Sequence, residues 1–410
     1  MPFNIGLSGL NAAQADLQTT GNNVSNSGTT GFKRSRAEFG DVFAQSFGGI
    51  SQTAIGSGTS LLAVSQQFSQ GRTEFTENGL DLAINGEGFF VLSDGGSRVF
   101  TRAGEFQVDR EGFLVNSQGQ QLQGYPPQTP GSAEAEFNTG QLQDLRLQTG
   151  DAPPQATTDV EALVNLRSDA EEPPVAPFDL EDPETYNFST SLTVYDSLGT
   201  ARDASMYFVK GPNDLEWTVH VGVEGEEYAA FDLEFDGSGQ LVDVAPDPAE
   251  VTVPTADLGN GAEDLVFELD FGGTTQYGGD YAVNDLNQNG FASGRLTGID
   301  IDQSGAVFAR FTNGQSTVLG QVAMANFTNP QGLEQLGNNN WAETFSAGEP
   351  VFAAPGTGNL GTIQSGALEA SNVDIAQELV NLITAQRNFQ ANAQTISAAD
   401  QVTQTIINIR

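Results

Sequence analysis

Apolar positions at the two ends of this chain recur at steps of three, four and seven, whereas those of the middle alternate. Near the start, Phe3, Leu7, Leu10, Leu17 and Val24 keep a heptad-like spacing, with Gln14 and Gly21 at the intervening positions. That pattern predicts an amphipathic helix over 3–26. The segment GNNVSNSGTTG, from Gly21 to Gly31, gathers turn formers and should stop it. At the far end Ile375, Leu379, Leu382, Phe389, Ala393, Ile396 and Ile407 follow the same spacing, interrupted by Gln386 and Asp400, and predict a helix over 372–410. Ser371 and Asp374 read as an S-x-x-D capping box at its start. About 38 residues at 1.5 Å rise would make a rod of roughly 57 Å. Both seams are thin in Leu and Ile and flanked by Gln and Asn. Such helices should fray alone and form when packed against neighbours.

Between the ends the pattern changes to short strands and turns. Residues 37–70 mix apolar side chains with Ser, Gln and Gly and read as an extended connector with strand character. The runs DLAINGEGFFVL, SRVFTRAGEFQVD and GFLVNSQGQQLQGYP are apolar or alternating and are punctuated by NGEG, DGGS and DREG, which predicts a compact β unit. Prolines and acids over 149–185 mark a boundary, and strands resume from STSLTVYDSLGT to LVFELDF. After Asn289–Gly290 the run RLTGIDIDQSGAVFARF resembles the hairpins of the first unit. The expected fold class is α+β, mainly β, with two nested β domains and N- and C-terminal helices pairing as a coiled-coil-like axial core. The expected divisions are 1–28 and 370–410 (helical core), 29–70 and 350–369 (connector), 71–150 and 291–349 (first β domain), and 151–290 (inserted acidic β domain).

Composition narrows the function. The net charge is −38, and thirty of the 53 acidic residues fall between Asp151 and Asp285, against only Arg167, Arg202 and Lys210. This repels nucleic acid, which needs basic contacts to phosphate, and anionic membrane surfaces. No run of 18 apolar residues exists, so no transmembrane helix and no membrane insertion are expected. The start, MPFNIGLSGLNAAQ, lacks a basic n-region and an unbroken apolar h-region, so a cleaved secretory signal is not expected. Cysteine is absent, which rules out disulfide staples and fits an exported chain that avoids thiol chemistry.

The segments that could carry chemistry fall short of it. His220 is the only histidine and sits in WTVHVGV opposite Trp217, Val219 and Val221, so neither a zinc site nor a histidine triad is expected. Asp285, Asn287, Asn289 and Gly290 copy half an EF-hand loop, but its twelfth position is Leu296; Asp300, Asp302, Ser304 and Gly305 make a similar fragment. Both read as Asx-type turns. Gly356, Gly358 and Gly361 satisfy G-x-G-x-x-G with no following helix before Ser371, which argues against a dinucleotide site. No catalytic residue, metal or cofactor is expected. The expected site is an assembly interface of Leu7, Leu10, Leu17, Val24, Ile375, Leu379, Leu382, Phe389, Ile396 and Ile407.

Three segments also carry a family resemblance. Gly9-Leu10-Asn11-Ala12-Ala13, Gly21-Asn22-Asn23-Val24-Ser25-Asn26 and Thr30-Gly31-Phe32-Lys33 resemble the N-terminal signature of bacterial flagellar rod and hook axial proteins. Ser371 to Asp374, Glu378 to Ile383 and Ala385 to Asn392 resemble the C-terminal one, and Leu80 to Phe90 resembles the β-domain motif of the same family. The length and the inserted domain resemble hook members more than the shorter rod members. The resemblance implies a subunit exported unfolded through the flagellar export apparatus. It would polymerise with itself into a curved, flexible tube between rod and filament, outside the cell. The helices would line its channel, the β domains would form outer layers, and Gly48–Ser60 and Gly348–Gly361 would serve as hinges. Distal rod, hook cap and hook–filament junction proteins are the implied partners. A distal rod component is the alternative within the family, and an acidic secreted adhesin or glycan-binding protein the alternative outside it.

Overall fold

The computed structural model describes residues 2–42, 56–129, 135–147 and 150–408. The chain forms two compact units, one of Met1–Thr149, Gly298–Arg310 and Ser316–Arg410, the other of Gly150–Thr297 and Phe311–Gln315. As the pattern predicts, the fold is mainly β with long helices at the chain ends, Pro2–Ser25 and Ile375–Asn408.

In the first unit the chain returns to its own early strands. Phe89–Asp94 pairs antiparallel with Ser97–Thr101 and with Gln121–Tyr125, and Gln121–Tyr125 pairs with Ser316–Val322. Phe89–Asp94 also meets Met324–Asn326, so residues more than two hundred positions apart share one sheet. Consecutive side chains on Phe89–Asp94 point to opposite faces and fill two cores. Phe90 and Leu92 pack with Leu82, Leu122 and Val322; Phe89 and Val91 pack with Phe100, Phe327 and Trp341. The connector expected over 29–70 includes a hairpin of Ser35–Asp41 and Thr59–Gln66. Gln66 anchors its return strand, accepting from Trp341 Nε1 at 2.6 Å and from Gln331 Nε2 at 2.6 Å. Of the expected hinge Gly48–Ser60, residues 48–55 lie outside the described residues.

The second unit has two five-stranded sheets. One is an antiparallel meander from Phe188–Tyr195 to Leu241–Ala245. In the other, Asp159–Arg167 pairs with Leu265–Asp270 and Thr275–Tyr277 in parallel and with Ala282–Gln288 antiparallel. Both contribute to one core that includes Val160, Val164, Phe208, Trp217, Val219 and Phe267. Strict alternation puts the carboxylates outside: in Glu226–Phe235, Phe231, Leu233 and Phe235 are buried while Asp232 and Glu234 are exposed. His220 lies on the outer face, stacked on Phe178 and 2.6 Å from Glu227.

One expected turn is a strand. Asp285 and Asn287 lie within Ala282–Gln288, where Leu286 pairs with Ala162 and packs against the core. The ladder satisfies the backbone that a turn would leave to side chains. Asn289, just beyond, accepts from the amides of Thr158 and Asp159. Of the other fragment, Asp300 lies in the strand Leu296–Ile301, while Asp302 to Gly305 form the side-chain-bonded turn: Asp302 Oδ1 accepts from Ala306 N at 2.9 Å, and Gly305 has φ +77°.

Candidate assembly site

The two terminal helices pack against each other antiparallel, with the start of one beside the end of the other: Gly6 faces Ile396, Gly9 faces Asn392 and Asn23 bonds Glu378. The contact line follows Gly6, Leu10, Ala13, Leu17, Thr20 and Val24 on one helix, and Glu378, Leu382, Ala385, Phe389, Asn392, Ile396 and Ala399 on the other, all buried or half-buried. Its steps of three and four are those of a heptad seam.

That line corrects the predicted one. The periodicity predicts a seam through Phe3, Leu7, Leu10, Gln14, Leu17, Gly21 and Val24, and a second one interrupted by Gln386 and Asp400; Leu10, Leu17, Val24, Leu382, Phe389 and Ile396 lie on the observed line, whereas Gln14, Gln386 and Asp400 are exposed. Every second position is turned by one residue onto a small side chain, from Leu7, Gln14 and Gly21 to Gly6, Ala13 and Thr20. A Cβ added to Gly6 would stand 2.8 Å from Ile396 Cγ1, and one at Gly9 would stand 2.5 Å from Asn392 Oδ1. Close approach of the backbones selects the small residues. Leu7, Ile375 and Leu379 are left outside.

The ten expected interface residues therefore divide. Leu10, Leu17, Val24, Leu382, Phe389 and Ile396 are half-buried along the contact line. Leu7 (53%), Ile375 (50%), Leu379 (47%) and Ile407 (67%) remain exposed. Beside them Phe3, Ile5, Val380, Ile383 and Val402 are exposed too. The helix pair is thus apolar on its outer surface as well as inside.

The start of the C-terminal helix also differs from expectation. Asp374 is itself the N-cap, its Oδ1 accepting from Ala376 N at 2.9 Å and Gln377 N at 3.2 Å. Ser371 Oγ accepts only from Val373 N, and the helix begins at Ile375. The reason is Asn372, whose amide group accepts from Arg34 N at 2.7 Å and donates to Gln67 O at 2.7 Å and Ser69 O at 3.0 Å. Those bonds hold residues 371–373 extended.

Asn372 belongs to a polar joint between the helices and the β body, which the periodicity did not point to. Glu369 is fully buried; its Oε1 lies 2.6 Å from Lys33 Nζ and 2.7 Å from Gly71 N, and its Oε2 lies 3.2 Å from Arg102 Nη1. Lys33 Nζ also donates to Ser69 O at 2.8 Å, and Arg102 Nη2 to Gly86 O at 2.9 Å. Two cations share one carboxylate. Burial outweighs that carboxylate's attraction and pulls the pKa values of Lys33 and Arg102 below their ordinary values. Gly31 enters the joint at φ +69°, where an added Cβ would meet the Ala103 amide nitrogen at 2.6 Å. Any L side chain is excluded there.

Above the joint, Asn23 clasps Ser35 with both ends of its amide, donating to Ser35 O at 2.8 Å and accepting from Ser35 N at 2.9 Å. It also donates to Glu378 Oε2 at 3.3 Å, and Arg34 reaches Glu378 Oε1 at 3.5 Å. Asp16 shares this cavity of about 250 Å³ with Glu378, Arg34 and Arg36. Its own burial, then the charge of Glu378, pushes the Asp16 pKa up. Among the described residues no group of carboxylates and histidines is placed to hold a metal ion.

An axial assembly protein is the class these features define: a β body whose two chain ends leave together as one helix pair with unsatisfied apolar sides. Comparison with known proteins agrees. The family model described as flagella basal body rod protein matches residues 3–33, and that of the flagellar hook protein FlgE/F/G D1 domain matches 83–157. The flagellar basal body protein FlaE D2 domain matches 165–291, and the flagellar basal body rod FlgEFG protein C-terminal model matches 364–409. The chain is 40% identical over 417 residues to flagellar hook protein FlgE of Escherichia coli (strain K12), covering 100% of both chains. It is 39% identical over 419 residues to that of Salmonella typhimurium, again covering 100% of each. In fold it is similar to the crystal structure of Helicobacter pylori flagellar hook protein FlgE2 (TM-score 0.54, 16% identity), over 72% of this chain and 100% of that one. The chain belongs to the flagellar hook protein family, whose members are structural, and is a structural subunit of the bacterial hook.

Proposed function

We propose that neighbouring copies of the subunit meet through the apolar side chains that the helix pair leaves outside, chiefly Leu7, Ile375, Leu379 and Ile407, and that these contacts build the wall of a central channel. One observation carries this: large aliphatic side chains are about half exposed on both helices, while the contact between the helices is made partly of glycine and alanine. Exposed apolar surface concentrated on one element marks a site of association. A heterologous contact that does not close extends into an open helical tube. The half-buried Leu10, Leu17, Val24, Leu382, Phe389 and Ile396 hold the pair together and present that surface.

In this reading the subunit crosses the flagellar export apparatus unfolded, reaches the cell exterior, and polymerises there into a curved tube. The tube transmits torque as it bends, and meets distal rod, hook cap and junction proteins along its length or at its ends. Its role is mechanical rather than catalytic, and it needs no cofactor. The test is sedimentation and electron microscopy of purified protein. Deletion of 372–410 should abolish polymerisation and leave a soluble β body; tubes formed by the truncated chain would refute the role given to the helix.

A further inference from the structure

Phe345 stands fully in solvent, yet the turn that carries it is fixed on both sides. Thr344 Oγ1 donates to Gly332 O at 2.5 Å and accepts from Ser346 N at 3.2 Å. Asn329 Nδ2 donates to Ser346 O at 3.0 Å, and Asn329 N to Ala347 O at 3.2 Å, while Ala347 is completely buried. A mobile loop could fold its phenylalanine away. This one holds the backbone on both sides of Phe345 in place, leaving only the ring's own rotation.

The same unit carries a cleft of about 590 Å³ floored by Phe327, Ala353 and Leu360 and rimmed by Val351, itself 63% exposed. The volume falls within the range of clefts that hold small ligands. Thr328, on the cleft wall, precedes Asn329, which holds the turn of Phe345. The turn of Phe345 is thus tied to the residue that follows the cleft wall, and Phe345, being fully exposed, does not fill the cleft of its own subunit.

We propose that Phe345 of one subunit docks in the Phe327–Ala353–Leu360 cleft of the next, a second contact between copies that is separate from the helix pair. The occupant is a second copy because the protein is a polymer subunit and supplies both halves of the contact itself. In an open helical assembly each subunit can offer its knob to one neighbour and its cleft to another, so the contact repeats from copy to copy. The fixed turn adds to its strength, since an aromatic anchor already ordered loses little freedom on binding. This inference rests on the polymerisation described above but not on the helices' part in it.

Two variants of the full chain test it. Phe345→Ser should raise the critical concentration for polymerisation roughly tenfold or more, with the monomer's melting temperature unchanged because the ring has no contacts to lose. An unchanged critical concentration would overturn the proposal, whereas failure of the helix reading would show in Leu379→Asp and not here. The chain has no cysteine, so Ser346→Cys with Asn359→Cys places a thiol beside the knob and another at the cleft without background. Treated as polymer with a short bis-maleimide, this double variant should give a ladder of cross-linked oligomers, while dilute monomer and both single variants stay uncrosslinked. Polymer that forms but gives no ladder, or a ladder from Ser346→Cys alone, would place the knob elsewhere and sink the idea. If the double variant does not polymerise, the critical concentration of Phe345→Ser decides alone.

Discussion

Lys33 Nζ lies 2.6 Å from Glu369 Oε1, a residue 336 positions further along the chain, and neither side chain reaches solvent. With Arg102 on the other carboxylate oxygen, the pair ties the strand leading into the C-terminal helix to the segment that follows the N-terminal one. Removing the carboxylate would leave two buried cations facing each other. Glu369→Gln should therefore cost about 3–5 kcal/mol of monomer stability, measured by urea unfolding. A loss below about 1 kcal/mol would mean that water or rearrangement relieves the joint.

Leu379 and Ile396 look equivalent in the sequence pattern but occupy different places. Ile396 is half-buried over Gly6, so Ile396→Asp should loosen the helix pair in the monomer and reduce its helical circular dichroism. Leu379 is exposed, so Leu379→Asp should leave the monomer's melting temperature within a degree or two of wild type, since exposed substitutions shift stability by about 0.5 kcal/mol or less, yet block polymerisation. Equal effects of the two substitutions on the isolated monomer would contradict the division between contact line and outer surface.

Asp16 offers a pH test. Its folded pKa is raised above the ordinary 3.8 by burial and then by the charge of Glu378, with Arg34 and Arg36 also lining the cavity. The contribution of this group is fully present below the unfolded value and is lost as pH rises through the folded one. At neutral pH the ionised Asp16 is thus a cost, and Asp16→Asn should stabilise the helix pair by a few tenths of a kcal/mol, solvent screening keeping the gain small. The gap between variant and wild type should close as pH falls through the raised pKa. A gap that widens instead would give Asp16 the opposite sign.

The charge of the second unit predicts a salt effect. Asp232 and Glu234 lie on the exposed face of one strand, with Glu226 and Glu227 at its start. Neutralising these four to Asn and Gln should change the curvature or bundling of assembled hooks seen by electron microscopy. Raising the salt should mimic the change, because screening shortens the reach of exposed charge to about 3 Å at 1 M. Hook shape that stays constant across both treatments would free the acidic face from any part in curvature.

The terminal helices were legible because a period of three and four survives without tertiary information. Which stripe pairs and which stays outside was not legible: large apolar residues dominate any periodicity, and Gly6, Gly9 and Ala385 carry no hydrophobic signal although they allow the closest approach. The cap at Asp374 is hidden for a related reason. Spacing showed a plausible box with Ser371 but not the bonds that hold Asn372 extended. The joint of Lys33, Arg102 and Glu369 leaves no periodic trace, since its members come from three distant segments. The best available hint was compositional, one of only two lysines standing within the Thr30–Lys33 signature. Asp285 and Asn287 mimic a loop motif, and only the partner strand Asp159–Arg167 reveals their stretch as a strand.

The joint also sets an order of events. Lys33 and Asn23 lie near the start of the chain, and Glu369, Asn372 and Glu378 near its end, so these contacts cannot close until both ends have arrived. A chain threaded end-first through a narrow conduit keeps its axial element open for as long as either terminus is still inside. Under the proposed export route the Lys33–Glu369 bridge would form only once Glu369 had emerged, and a subunit interrupted before that would have no finished helix pair with which to enter a growing tube.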